Sequence, residues 1–180
     1  MSDPNCCVLR HRRPSRRAVM AAFACVAMTP TAAFAQPASE DERFMRIAID
    51  EARQADFPFG AVIVRNGTVI ARGRNLGRTN ADPTAHGEMV AIRRALTDHG
   101  PAALRGATLY TSGEPCAMCM GAILWCRFGR VVFAASVAQL AARVDQILLS
   151  SAEIAAKATF APIAITGGVL ADEAMKLFAK

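Results

Sequence analysis

His86-Gly87-Glu88 and, thirty residues further on, Pro115-Cys116-Ala117-Met118-Cys119 are the stretches on which the reading of this chain turns. One imidazole and two thiols form the donor set that zinc prefers, nitrogen and sulfur in a tetrahedron. Three protein ligands leave the fourth corner for water, which separates a catalytic zinc site from a closed structural one. Cys116 and Cys119 stand three apart, so one turn of helix can aim both sulfurs at a single point. His86 opens one expected helix and Cys116 another. Two positive helix ends then face the ligands and favour thiolates. Glu88 lies two residues from His86 and is placed to move protons for a metal-activated water. A Cys-x-x-Cys pair alone would read as a redox dithiol, and the upstream His-Gly-Glu with Pro115 turns the reading to metal.

Working outward, Ser39 to Glu42 has the form of a capping box. Phe44, Ile47, Ala48 and Ala52 then recur at helical spacing to about Gln54. Ala61 to Val64 reads as a strand, Asn66-Gly67 as a hairpin turn, and Thr68 to Arg72 as the partner strand. Residues 73–84 read as a loop. A helix is expected from His86 to Leu96, a buried strand over 107–111, and a helix from Cys116 to about Trp125. Residues 131–134 read as a strand, 137–160 as short helices joined by a loop, 163–166 as a last strand and 171–179 as a last helix. That order implies a mixed sheet between helical layers.

The net charge of +6 over 180 residues is unevenly spread. Residues 1–35 hold five of the 21 Lys+Arg and one of the 15 Asp+Glu, leaving 16 against 14 in residues 36–180. The basic excess therefore belongs to the N-terminal stretch, and the body is close to neutral. That stretch has the form of an export signal. Arg16-Arg17 precede an alanine-rich apolar run from Ala18 to Met28, and Ala33-Phe34-Ala35 offers a cleavage point before Gln36. Ser15-Arg16-Arg17-Ala18-Val19-Met20 resembles a twin-arginine signal. The expectation is a signal peptide over 1–35, a metal-dependent domain over 36–180, a periplasmic or secreted location, and no stable membrane association after cleavage. The apolar run is too short to span a bilayer comfortably. Three of the six cysteines, Cys6, Cys7 and Cys25, leave with the signal. Two of the remainder fit the metal motif, so no disulfide framework is expected.

Other residues carry two readings. Asn75, in a loop after a strand, can donate to and accept from a base edge, or serve turn chemistry. Phe59 stacks on a base or fills core. Trp125 is nine residues from Cys116, about half a turn round, so it points away from its own metal site and packs internally or crosses a subunit interface. Glu114 caps a helix or orients nearby backbone. Cys126 reads as a small buried hydrophobe and His99 as a surface residue. Asp145 receives no role.

These motifs resemble the cytidine deaminase-like superfamily over about residues 40–180. Pro58 to Val64, Asp82 to His86 and Glu114 to Cys119 resemble the branch of bacterial guanine deaminases and tRNA adenosine deaminases. The resemblance implies an α/β fold, a three-layer α/β/α sandwich with a five-stranded mixed sheet, and a homodimer. It also implies hydrolytic loss of ammonia at zinc. Carried over residue by residue, His86, Cys116 and Cys119 hold zinc and Glu88 shuttles protons. Asn75 and Phe59 contact substrate in the chain's own pocket, and Trp125 contacts it in a dimer partner's. Gly87 departs from the usual alanine, which loosens the helix start, and Gly113 stands where guanine deaminases often have cysteine. Residues 121–125 resemble guanine deaminases, whereas 129–133 and 166–173 resemble the tRNA enzymes. Near-neutral charge, export and the lack of a basic C-terminal extension favour a free base or nucleoside over tRNA. Guanine, giving xanthine and ammonia, comes first. Cytosine, cytidine and tRNA adenosine are alternatives, and an inactive metal-binding or dithiol redox protein is the alternative of another class.

Overall fold

The computed structural model describes residues 39–179, so the expected signal peptide over 1–35 lies outside the described residues. Helix α1 (Glu40–Arg53) starts where Ser39 Oγ accepts the Glu42 N–H at 3.2 Å. It buries Phe44, Met45, Ala48, Ile49 and Ala52 along one face. Strands β1 (Gly60–Arg65) and β2 (Thr68–Arg74) form a hairpin. Its turn residues Asn66 and Gly67 both take positive φ, 49° and 72°, as a two-residue turn between twisted strands requires.

The rest alternates. Helix α2 (Gly87–His99) leads to β3 (Thr108–Gly113), α3 (Ala117–Trp125) and β4 (Arg130–Ala135). Two short helices, α4 (Val137–Ala141) and α5 (Ser151–Lys157), precede β5 (Ala164–Thr166) and α6 (Ala171–Met175). The single sheet has the order β2-β1-β3-β4-β5. β1 pairs antiparallel with β2 and β3, and β3, β4 and β5 run parallel. The expected five-stranded mixed sheet is therefore present. Alternation along β1 sends Ala61 and Ile63 to one core and Val62 and Val64 to the other. The first core holds Ile92 of α2 and Met120 and Ile123 of α3. The second holds Phe44 and Ile49 of α1, Leu140 of α4 and Ala174 of α6. These are the two helical layers of the sandwich.

Three expectations need correction. Helix α2 runs to His99 rather than Leu96, and stops where Gly100 takes φ 74° before Pro101. The last helix breaks into α6 and a 3-10 turn over Lys176–Phe178. Gly73 belongs to β2 rather than to the loop, because α2 presses so closely there that any side chain would collide with the Gly87 carbonyl. Among the described residues, no helix is long and apolar enough to cross a membrane.

Candidate metal centre and cleft

His86 and Cys116 occupy the N-cap positions of α2 and α3, and Cys119 sits in the first turn of α3. Neither helix start has a side-chain cap, because the residues in the capping positions point their side chains at each other. His86 Nδ1 lies 3.7 Å from Cys116 Sγ and 3.7 Å from Cys119 Sγ. All three donor atoms fall within 4.8 Å of one another. Metal–sulfur and metal–nitrogen bonds of about 2.3 and 2.0–2.1 Å in a tetrahedron put N and S about 3.6 Å apart. The observed spacing fits zinc, and so does the donor chemistry.

The electrostatics agree. The Cys119 thiol hydrogen-bonds to Cys116 and draws it down to about 4, against the opposing effect of burial. Cys119 is pushed up by that same bond and then by burial, so the two shifts describe one shared proton. His86 is raised, chiefly by its hydrogen bond to Cys116. A divalent cation favours the thiolate form of both sulfurs and the neutral imidazole. His86, Cys116 and Cys119 would hold it.

Glu88 is 5% exposed, one helical step inside α2. Its carboxylate Oε1 accepts from Thr111 Oγ1 of β3 at 3.2 Å. Burial raises its pKa. Gly87 between ligand and carboxylate has a packing reason. A Cβ there would stand 3.0 Å from the Phe59 carbonyl and 3.1 Å from Gly60 Cα, so the glycine seats α2 tightly on β1. The expectation of a loosened helix start is replaced by one of close approach.

An open cleft of about 1280 Å³ leads to the ligands. Asn75, Phe59, Met118 and residues 141–147 line it along with His86 and Cys116. Both readings of Asn75 hold. Its Oδ1 accepts the Gly77 N–H at 3.0 Å, which is turn chemistry, and the residue still borders the cleft. Phe59 borders the cleft and packs on Phe178 with ring centroids 5.2 Å apart. Trp125 does not join them. It is 72% exposed and stacks on Phe160 at 4.6 Å, outside the cleft of its own chain, because helix geometry turns it away. Cys126 is half-buried at the end of α3, less enclosed than expected. His99 is exposed, with Nε2 3.1 Å from the Ile70 carbonyl.

Sequence reasoning missed Thr111 beside Glu88 and the place of Arg143 and Asp145 in the cleft lining. A threonine in an otherwise buried strand was the one signal for the first. The other two lie in an irregular segment with no pattern to read. Glu114 proves structural, and twice over. Its Oε2 accepts the Val137 N–H at 2.8 Å and its Oε1 the Ser151 N–H at 2.7 Å.

Comparison with known proteins agrees with this geometry. Residues 38–135 match the cytidine and deoxycytidylate deaminase zinc-binding region. A guanine deaminase of Bacillus subtilis (strain 168) is 54% identical over 78 residues, 43% of this chain and 50% of that protein. A tRNA-specific adenosine deaminase of the same strain is 46% identical over 101 residues, 54% of this chain and 63% of that protein. The chain thus spans half to under two thirds of these curated relatives. A solved tRNA A34 deaminase matches with TM-score 0.66 and 34% identity, over 75% of this chain and 98% of that one. With the ligand set, the buried carboxylate and the sheet order all in place, the chain belongs to the cytidine and deoxycytidylate deaminase zinc-binding family.

Proposed function

We propose that this protein is a zinc-dependent hydrolase that removes an amino group from a nucleobase or nucleoside, with guanine, giving xanthine and ammonia, as the favoured substrate. The observation that carries the reading is the buried Glu88 beside three convergent N and S donors, of which His86 and Cys116 line an open cleft. Zinc held by His86, Cys116 and Cys119 would supply Lewis acidity that activates a water for attack. Glu88 carries one proton from the attacking water to the ring nitrogen, and then a second, from the hydroxyl so formed on the ring carbon, to the amine that departs as ammonia as the C–N bond breaks. Burial, which raises its pKa, suits a group that must both accept and donate near neutral pH. Thr111 orients the carboxylate through Oε1. Asn75 and Phe59 border the space where a base would lie, one as a polar contact and one as an apolar wall.

Two observations support a free base. Residues 36–180 carry 16 Lys+Arg against 14 Asp+Glu, whereas gripping RNA takes several phosphate-contacting cations. Asp145 in the cleft offers an acceptor to the adjacent N–H groups of guanine. The second reading, tRNA adenosine, is favoured by the extent of the match to the solved tRNA A34 deaminase. Ammonia release from guanine, adenine, cytosine, their nucleosides and an anticodon hairpin separates them. Highest kcat/KM on guanine supports the first reading, and a preference for the hairpin replaces it with the second.

Two further readings belong here. The outer face of α3 presents the exposed Met118 and Trp125 with the half-buried Gly121 between them, an apolar stripe suited to a second copy. The protein would then be a homodimer, and Trp125→Ala would weaken it and lower base turnover with it, read by sedimentation and by ammonia release. The N-terminal arginine pair supports twin-arginine export of the folded, metal-loaded chain to the periplasm, which would protect the thiolates from oxidation. Replacing Arg16 and Arg17 by lysine should hold a tagged chain in the cytoplasm.

A further inference from the structure

The two sides of the cleft are built differently. The ligand side rests on α2 and α3. The far side is residues 141–147, part of a strap with no helix or strand over 142–149. Among the described residues, its backbone N–H groups from Val144 to Leu149 make only two backbone bonds. Val144 donates to Leu140 at 2.9 Å and Leu149 to Ile147 at 2.8 Å, so none ties the strap to the sheet. The strap also changes sides. Helix α4 before it anchors through Leu140 in the core under α1, and α5 after it packs through Ile154 and Ala155 on the other core.

What spans the crossing is one carboxylate. Glu114, the residue after β3, is 8% exposed and accepts the first N–H of α4 with Oε2 and the first N–H of α5 with Oε1. These bonds are not needed to start either helix. Ser136 with Gln139 and Ser150 with Glu153 already close a capping box at each. The bonds of Glu114 fix instead the separation of the two helix starts, and Glu114 is two residues from the ligand Cys116. Arg143, Asp145 and Gln146 are the polar side chains that the strap brings to the cleft.

We propose that Glu114 is a specificity-positioning residue. It sets how far the strap's polar groups stand from the metal ligands, and so which base the cleft accepts. The proposal rests on the deaminase reading for its kinetic consequence and on geometry alone for the tie itself.

Glu114→Gln in the full, zinc-loaded chain tests it, because the amide nitrogen cannot accept and one helix N–H loses its partner. Hydrogen exchange, read without substrate, should speed about tenfold across residues 137–151, the scale of one lost charge-assisted bond. On the wild type's own preferred base, KM should rise about tenfold, with kcat within about twofold and zinc content unchanged. Unchanged exchange and KM would overturn the proposal. So would a parallel loss of kcat and zinc, since Glu114 would then serve only to hold Cys116. Should that variant fail to fold, Ser151→Pro removes the α5 partner and, with its ring where that N–H stood, turns the Glu114 carboxylate away, while no residue of the ligand loop is changed. Proline is tolerated at a first helical position, and Ser150 already has the extended backbone it requires, φ −71° and ψ 154°. The same rise in KM is expected, and a loss confined to kcat contradicts it. A wild type that releases no ammonia from any base contradicts the deaminase reading, a result distinct from unchanged exchange.

Discussion

Tyr110 and Thr111 are neighbours on β3, and each serves a carboxylate on an opposite face of the sheet. On the α1 side, Asp41 receives Tyr110 Oη at 2.8 Å and both terminal nitrogens of Arg130, at 2.8 and 2.7 Å. Arg130 also donates to Thr166 Oγ1 at 3.0 Å. This cluster joins α1, β3, β4 and β5, and the Arg130 hydrogen bond holds Asp41 below its ordinary pKa. On the α2 side, Glu88 accepts from Thr111 Oγ1 at 3.2 Å and lies against the Cys119 thiol with no cation paired to it, and burial holds its pKa up. One carboxylate is matched by cation and hydroxyl and belongs to the fold. The other is buried without a paired cation, which is costly for stability and is the environment that a proton-transfer group calls for.

Four substitutions break or sharpen that contrast. Cys119→Ala should have the largest effect. Removing a fully buried ligand should take zinc content from about one per chain to near zero and abolish turnover, measured by elemental analysis beside ammonia release. Full zinc in that variant would refute the ligand set. Glu88→Gln should lower turnover by about 10²–10⁴-fold while zinc stays bound. Its melting temperature should equal or exceed that of the wild type, because a desolvated carboxylate has been removed.

Asp41→Asn should do the reverse. Loss of the charge facing Arg130 should destabilise by about 2 kcal/mol and leave turnover unchanged, as thermal melts and rates would show. Its pH dependence has a definite sign. Asp41 has a lowered folded pKa, so its contribution is complete above the unfolded carboxylate range and is lost as pH falls through the folded value. The wild type should therefore lose stability below about pH 4, and the variant should show a shallower loss. Thr111→Val should have the smallest effect, about tenfold in kcat with stability kept, because Glu88 loses orientation but not proximity. An unchanged kcat would remove Thr111 from the site.

The convergence of His86, Cys116 and Cys119 and the place of Glu88 beside them were legible because local spacing sets them. Three residues make one helical turn, and a helix N-cap needs no long-range information. Asn66-Gly67 and the Ser39 cap were legible for the same reason. The bounds of β2 were not, since Gly73 is in a strand only because α2 lies against it. Glu114 could be assigned to capping but not to two helices at once. Its partners, Val137 and Ser151, lie 23 and 37 residues away, and their meeting depends on the strap crossing the sheet's end. The strap has no periodicity, so Arg143 and Asp145 left no trace in the pattern. Trp125 was correctly turned from its own ligands by helix geometry, and its stack on Phe160 was invisible in one dimension.

The most direct test compares three zinc-loaded proteins at equal metal content: the wild type, Glu88→Gln and Asp41→Asn, each measured for ammonia released from guanine. The account predicts wild-type rates from Asp41→Asn and almost none from Glu88→Gln. Comparable rates from wild type and Glu88→Gln, both holding zinc, would contradict it, because the buried carboxylate would then not be the group that moves the proton.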